Sequence, residues 1–429
     1  RNIIHNQEEQ QMQVKTLLNK CNKYKAFVFS NIRYKEENEE QVLEVDVRPR
    51  KNSKAICSGC HKPGPTYDTM REPRRFEFIP IWGILLYYFY RMRRVKCSDC
   101  GVKVEEVPWG IGKNELTNAY MQYLAHWAKK LSWKEVALSF RTSWEKVFAS
   151  VEYVVEWGLK HRDLSDITAI GVDEIQWSKG QKYLTLVYQI DSGSIRLLWI
   201  GADRTVKTFL RFFQFLGEER SSNLKYICSD MWKPYLDVIK RKASQAINIL
   251  DRFHIVAKLN KAIDEVRADE YRKLLKAGYG FMLKHTRWLL LKRPENLTQK
   301  EGVRLRDIVR YNLKTIRAYL LKEDFQWFWE YVSPYWAGIF LDQWCNKVMR
   351  SKIEPMKKVA KTIRNHRELI LNWFRAKKQF SSGVVEGLNN KVKLTIRKSY
   401  GFRTFKATEI ALYHTLGKLP EPQLTHRFY

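Results

Sequence analysis

The run Ile167-Thr168-Ala169-Ile170-Gly171-Val172-Asp173-Glu174 decides the fold. It alternates poorly between apolar and polar residues, which suits a strand covered on both faces, and it ends on two acids. Reading outward, Tyr183 to Ile190 and Ile195 to Ile200 form two further strand-like runs. A helix is predicted over 206–216, then a strand over 225–229 followed by Asp230. A helix from Lys233 and a strand over 246–250, followed by Asp251, complete the series. The order is three strands, helix, strand, helix, strand.

That order predicts a ribonuclease-H-like α/β domain, with Asp173 on the first strand and Asp230 after the fourth in metal-ligand positions. Glu174 should face the opposite side of its strand and is set aside. Asp191 reads as a turn residue with Ser192-Gly193. Asp251 and His254 come close to Asp230 if the last two strands are parallel. Asp251 then reads as a helix cap or as a support beside the site; His254 reads as a packing histidine, a proton shuttle or a DNA contact. A third acid, Glu386, follows a Ser381-Ser382-Gly383 turn. At helical spacing Glu386, Asn390, Lys393 and Arg397 share one face, a carboxylate for a metal and then an amide and two cations for a phosphodiester.

The chain has 429 residues, with 77 Lys+Arg against 46 Asp+Glu and a formal charge of +31. That length allows several domains, and 45% hydrophobic residues exclude disorder. No apolar run reaches the roughly 18 residues needed to cross a bilayer. The run Ile79 to Tyr90, broken by Pro80 and Gly83, is expected to be a buried strand pair. So large a positive charge requires a polyanion, and 15 Trp, 22 Tyr and 21 Phe among basic residues favour nucleic acid over a membrane. The chain begins on Arg1, nothing in it resembles a secretory signal, and seven cysteines predict a reducing compartment.

Four of those cysteines form two knuckles, Cys57-Ser58-Gly59-Cys60 and Cys97-Ser98-Asp99-Cys100. Two thiolates three residues apart on a tight turn grip one side of a tetrahedral ion, so the pair predicts one structural Zn²⁺. Arg91, Arg93, Arg94 and Lys96 lead into the second knuckle and would form a cationic platform for phosphates. Downstream, Ser132-Trp133-Lys134-Glu135 and Thr142-Ser143-Trp144-Glu145 both match a capping box. Two helices so close predict either a helical hairpin or a helix-turn-helix; the charge favours the latter. Ser143, Trp144 and Lys146 would then make base contacts from the second helix.

The whole is a multidomain α+β chain. A polar helix from Gln7 to Lys20 opens an N-terminal domain (1–112) that holds the zinc-binding β module. A helix-turn-helix domain (113–162) and the first part of the catalytic domain (163–252) follow. A basic helical insertion (253–376) precedes the final catalytic helix with the third acid (377–415) and a C-terminal tail (416–429).

Taken together, GVDE (171–174) with KGQKYLTLV (179–187), SDMWKPY (229–235), DRFHIVAKLNKAIDEVR (251–267) and EGLNNKVKLTIRKSYGFR (386–403) resemble the ISL3 family of bacterial insertion-sequence transposases, within the DDE class. The knuckles and the helix pair also fit that layout, so the resemblance spans nearly the full chain. It implies Asp173, Asp230 and Glu386 as a catalytic triad, and adds Arg403, at the end of the last stretch, to the DNA contacts. The family often has a Thr-Asn pair ahead of the final acid; Ser381-Ser382-Gly383 stands there instead.

Three carboxylates can hold two Mg²⁺ (or Mn²⁺) ions about 3.5–4 Å apart for in-line phosphoryl transfer. The chemistry expected is cleavage of double-stranded DNA at the element's terminal repeats and transfer of the 3′-hydroxyl ends to target DNA, by a homodimer in the cytoplasm, at the nucleoid. Two readings compete with it: a zinc-containing regulator with a vestigial site, and a structure-specific nuclease on the same fold. No GxSxG elbow or GxxxxGK[ST] loop is present to support a serine hydrolase or an ATP-driven motor.

Overall fold

The computed structural model describes residues 14–37, 39–178, 180, 182–379 and 382–423. Most of the expected Gln7–Lys20 helix, Lys179, Gln181 and Ser381 lie outside the described residues. The chain divides into two compact units, Arg1–Arg162 with Lys398–Tyr429, and Asp163–Arg397.

In the first unit, α1 (Val14–Cys21) precedes the strands β1 (Phe27–Glu37), β2 (Glu40–Pro49), β3 (Ala55–Ile56), β4 (Pro63–Gly64) and β5 (Thr66–Thr69). Next come β6 (Arg74–Ile81), β7 (Ile84–Tyr90), β8 (Arg93–Cys97) and β9 (Gly101–Val104). The main sheet runs β1-β2-β7-β6, and smaller sheets join β3 to β4 and β5-β8-β9. The expected strand pair is the β6–β7 hairpin. Its turn residues Trp82 and Gly83 both take positive φ, 52° and 80°, which matches the right-handed twist of the flanking strands. Trp109, 1% exposed, anchors the core beneath, with the rings of Phe27, Phe76 and Tyr90 edge-on at 4.8, 6.0 and 5.4 Å.

Helices α2 (Asn118–Ala128), α3 (Trp133–Ser139) and α4 (Trp144–His161) complete this stretch. Ser132 and Glu135 form the expected capping box. The second cap shifts by one residue: Ser143, not Thr142, accepts the Lys146 backbone N–H. One face of α4 buries Val147, Val151, Val154 and Val155.

The second unit is built on a five-stranded sheet. Its elements begin with β10 (Ala169–Ser178), β11 (Lys182–Gln189), β12 (Arg196–Gly201), α5 (Val206–Leu216) and α6 (Glu218–Ser222). They continue with β13 (Tyr226–Ser229), α7 (Lys233–Lys242) and β14 (Ile247–Leu250), in the sheet order β12-β11-β10-β13-β14. The first three strands pair antiparallel; β13 and β14 add in parallel. Phe209, Phe212 and Phe213 of α5 and Tyr235 and Val238 of α7 pack with Ile170, Val172, Val187 and Ile227 of the sheet. From Ala169 to Val172 successive residues, which face opposite sides of the sheet, are all buried, which explains the poor alternation of the opening run.

Helices α8 (Arg252–Lys276), α9 (Arg287–Leu291), α10 (Gln299–Val309), α11 (Lys314–Gln326), α12 (Pro334–Arg350), α13 (Glu354–Asn365) and α14 (Arg367–Arg375) follow. Pro334 opens α12 in its first turn, where a missing N–H costs nothing. The last helix of this unit is α15 (Ser382–Lys398).

The chain then returns to the first unit. In α16 (Phe405–Leu416), Lys406 pairs with Glu152 and Glu156 of α4 at 3.3 and 3.2 Å. A side chain at Gly158 would overlap Leu419. By its contacts α16 groups with α4 in the first unit, while nearly all of α15 belongs to the second.

Buried His414 on α16 has an Nε2 with no hydrogen-bond partner among the described residues. Burial, and then the charges of Lys129, Lys398 and His126, push its pKa from 6.5 down to about 3. Below pH 6.5 the unfolded chain takes up a proton that the folded chain refuses, so stability is lost as pH falls. At about pH 5 the loss should be ~2 kcal/mol. In His414→Leu the change in urea unfolding free energy between about pH 7.5 and 5 should shrink by that amount. An identical pH response in both proteins would contradict it.

Candidate active site

Register brings the acids together. β10 and β13 pair Gly171 with Cys228, so two residues further on Asp173 lies level with Asp230. β13 and β14 pair Ser229 with Leu250, which puts Asp251 beside Asp230. Asp173, Asp230, Asp251 and His254 line one cavity with Val172, Cys228, Ser229 and Val385. Ligands commonly meet a sheet of this kind at the carboxyl ends of its strands, where this cavity opens.

The Asp173 carboxylate is held at both oxygens. Oδ1 accepts the Glu174 backbone N–H at 2.8 Å, and Oδ2 accepts the Asn389 amide at 2.5 Å. Asn389 is oriented in turn by the Tyr188 hydroxyl, which donates to its Oδ1 at 2.7 Å. Burial raises the Asp173 pKa and the nearby Asp251 charge adds to this, against the Glu174 N–H, His254 and Asn389. Gly171 permits the close approach of α15, since a Cβ there would overlap Val385.

Asp230 accepts the Trp232 backbone N–H at 2.8 Å through Oδ1. Asp251 caps α8 through the Phe253 N–H at 2.7 Å, and its other oxygen lies 3.7 Å from His254 Nε2. Glu174, which the sequence reading set aside, faces away from Asp173 but not away from the site. Arg204 bridges it to Asp230, with N–O distances of 3.4 and 3.8 Å. Burial, and next the Asp230 charge, raise the Glu174 pKa to about 7.

On α15, Val385, Leu388, Asn389 and Val392 are buried. Glu386, Asn390, Lys393 and Arg397 are exposed on another face, as is Arg403 beyond the helix. Glu386 thus follows a residue that lines the cavity. The ligand atoms of Asp173, Asp230 and Glu386 do not all lie within 4.8 Å of one another; among the described residues, only Cys57, Cys60, Cys97 and Cys100 form a metal-suited set that tight. Sequence reading missed Asn389, Tyr188 and Arg204. Only Asn389 left a signal: a polar residue at the 385, 388, 389, 392 spacing of an otherwise apolar stripe.

The four cysteines meet where the two knuckles pack, with Cys60 and Cys97 Sγ 3.5 Å apart. Gly59 keeps the space open, since a Cβ there would sit 3.1 Å from Cys100 Sγ. Backbone N–H groups of Cys60 and Gly59 lower the Cys57 pKa to about 7, while burial and neighbouring sulfurs push Cys100 up to about 12. Four thiols this close ionise together only around a cation.

Arg91, Arg94 and Lys96 are exposed, but Arg93 leaves the expected platform. With β8 starting at Arg93, period two turns Arg93 and Val95 inward. Arg93 bonds the buried Glu105 through Nε at 2.9 Å, and Arg94 pairs with Asp68. At the start of α4, Trp144 is exposed, the Ser143 hydroxyl serves as the cap, and the Lys146 ammonium lies 2.6 Å from Glu77 of β6.

Tyr188→Phe would leave the buried Asn389 Oδ1 without its donor, an expected loss of about 1–3 kcal/mol. Lys393→Ala, on the exposed face of the same helix, should stay within about 0.5 kcal/mol of the parent. Urea unfolding of both variants checks which face is structural; equal effects would contradict the arrangement.

Comparison with known proteins identifies the family. A family model described as a transposase, of the DDE type and the ISL3 family, matches residues 170–412, from β10 through α15 into α16. The transposase for insertion sequence element IS1001 of Bordetella parapertussis is 28% identical over 333 residues, 77% of this chain and 81% of the relative. The transposase for insertion sequence element IS1557 of Mycobacterium tuberculosis is 28% identical over 409 residues, 89% of this chain and 91% of the relative. A match over more than half the chain, running from β10 into α16, places this protein in the ISL3 family of DDE insertion-sequence transposases.

Proposed function

We propose that this transposase binds the terminal repeats of its own insertion sequence, cleaves DNA at the element ends and transfers the 3′-hydroxyl ends to target DNA. The observation that carries this reading is the shared level of Asp173 and Asp230 at one cavity, against which α15 packs with Glu386 next to the lining residue Val385. The strand order, three antiparallel strands extended by two parallel ones, supports a ribonuclease-H-like catalytic domain.

Hard carboxylate oxygens in a cleft fit Mg²⁺ or Mn²⁺, and Asp173, Asp230 and Glu386 are the residues that would hold two such ions. Bound there, the ions supply Lewis-acid polarisation of the phosphoryl oxygens and a lowered pKa for the attacking water or 3′-hydroxyl. The protein's own groups do the positioning. Asn389 and the Glu174 N–H fix the Asp173 carboxylate, the Trp232 N–H fixes Asp230, and Asp251 with His254 supports them from β14 and α8.

Four converging sulfurs suit one structural Zn²⁺, for which tetrahedral Zn–S bonds of about 2.3 Å are usual. Arg91, Arg94 and Lys96 near the knuckles, and Asn390, Lys393, Arg397 and Arg403 in the second half, offer exposed donors to phosphates. We read α3 and α4 as a helix-turn-helix whose exposed Trp144 reaches the bases, while Ser143 and Lys146 shape that end of the helix. Two ends must be cut and joined together, so the active form is a homodimer. No helix among the described residues is long and apolar enough to cross a membrane, and a cytoplasmic, nucleoid-associated enzyme fits its DNA substrate.

Replacing Asp173, Asp230 or Glu386 singly by Ala should abolish nicking and strand transfer on DNA carrying the element ends, with DNA affinity nearly unchanged. Substantial cleavage by any one variant would exclude that acid. Strand-transfer products separate a transposase from a nuclease that only cuts.

Metal analysis of the purified chain should find zinc. Cys57→Ser with Cys97→Ser should lose it, together with the cooperative unfolding of the N-terminal module and recognition of the element ends. A folded, end-binding protein free of zinc would refute the assignment.

A further inference from the structure

Arg204 stands at the mouth of the site without a part in the reading above. It lies in the loop between β12 and α5. β12 runs parallel to β10, because each is antiparallel to β11, so it leaves the sheet at the edge where Asp230 and Asp251 lie. Thr185 of β11 pairs with Glu174 on one side and Gly201 on the other, which brings the Arg204 loop alongside Glu174.

Three groups hold the guanidinium. Nε lies 3.4 Å from the buried Glu174 carboxylate, Nη2 lies 3.8 Å from Asp230, and the Trp232 ring centroid is 4.9 Å away. Among the described residues no other lysine or arginine pairs with Asp173, Glu174, Asp230 or Asp251. The side chain is 37% exposed, so its remaining donors reach solvent. A guanidinium carries five donors in a planar fork that matches phosphate oxygens. Glu174 and Trp232 fix the stem of this fork. Its Nη end meets a carboxylate that a divalent ion would claim.

We propose that Arg204 is a catalytic residue with two successive partners. In the DNA-free protein its Nη2 neutralises Asp230. Once a cation takes Asp230, the Nη donors turn to a non-bridging oxygen of the scissile phosphodiester, while Glu174 keeps hold of Nε. No proton moves and the guanidinium stays charged throughout; it stabilises charge that grows on the phosphoryl oxygens. The inference rests on the reading of Asp230 as a metal-holding acid.

The two partners give opposite effects on removal, which a purely structural arginine would not. In the full-length protein without DNA, Arg204→Gln should bind Mn²⁺ about three- to tenfold more tightly by calorimetry, because a competing charge has gone. At saturating Mn²⁺ the same variant should cleave element-end DNA about 10²- to 10³-fold more slowly. Arg204→Lys keeps the charge but not the fork, so it should bind Mn²⁺ like the parent and recover only part of the rate. Mn²⁺ binding by Arg204→Gln no tighter than the parent, or parental cleavage by either variant, overturns the proposal. Asp230→Ala separates the two levels: if it still cleaves, the reading of the site has failed, whatever Arg204 does.

Discussion

One hydrogen bond ties the second unit together: the Asn389 amide on the Asp173 carboxylate, spanning 216 residues of chain. A carboxylate taken partly out of water is costly unless donors surround it, and half-buried Asp173 finds one in the adjoining backbone and the other on a distant helix. Tyr188, itself fully buried, holds that amide in the donating orientation. The bond therefore settles which face of α15 meets the sheet. The apolar positions 385, 388 and 392 follow it inward, and the cationic positions 393 and 397 are left facing solvent. Gly171 completes the fit by leaving room for Val385.

Much of this was legible in the residues. The order of strands and helices in 163–252 follows from apolar runs and turn residues, and β10 to β14 appear where those runs lie. The two knuckles name their own partners because CxxC spacing is local. What resisted reading was the inward or outward sense of polar residues. Arg93 sits in a run of cations that looks exposed, yet the strand begins at that residue and period two sends it to Glu105. Glu174 looks dispensable beside Asp173, yet its partner Arg204 comes from a different strand's exit loop. Sequence patterns report which side of one element a residue occupies; they carry no record of what another element brings to meet it.

A chain with a formal charge of +31 has few acids to spare, and their placement shows how it uses them. Glu105 and Glu77 are buried and hold Arg93 and Lys146 inside the first unit. Breaking such a pair would strand a buried charge, so these cations are structural in effect, whatever their count contributes to the net charge. The acids around Asp230 are arranged differently: two carboxylates, Glu174 and Asp230, share a single arginine. That imbalance, local and negative within a positive protein, is what sets the cleft apart from the surface around it.

The covering of α4 by α16 bears on how the protein is made. Helix α16 closes the first unit, although that unit's strands and first helices leave the ribosome long before it. Asn389 likewise reaches Asp173 only after 216 further residues have been made. Domains generally fold as their residues emerge, but here each unit waits for a segment made long after its first strands. A nascent chain, or a product stopped before α15, would carry a first unit without the cover on α4 and an Asp173 without its amide partner. Translation must pass both helices before either unit is whole, so a stop ahead of α15 disables the two at once.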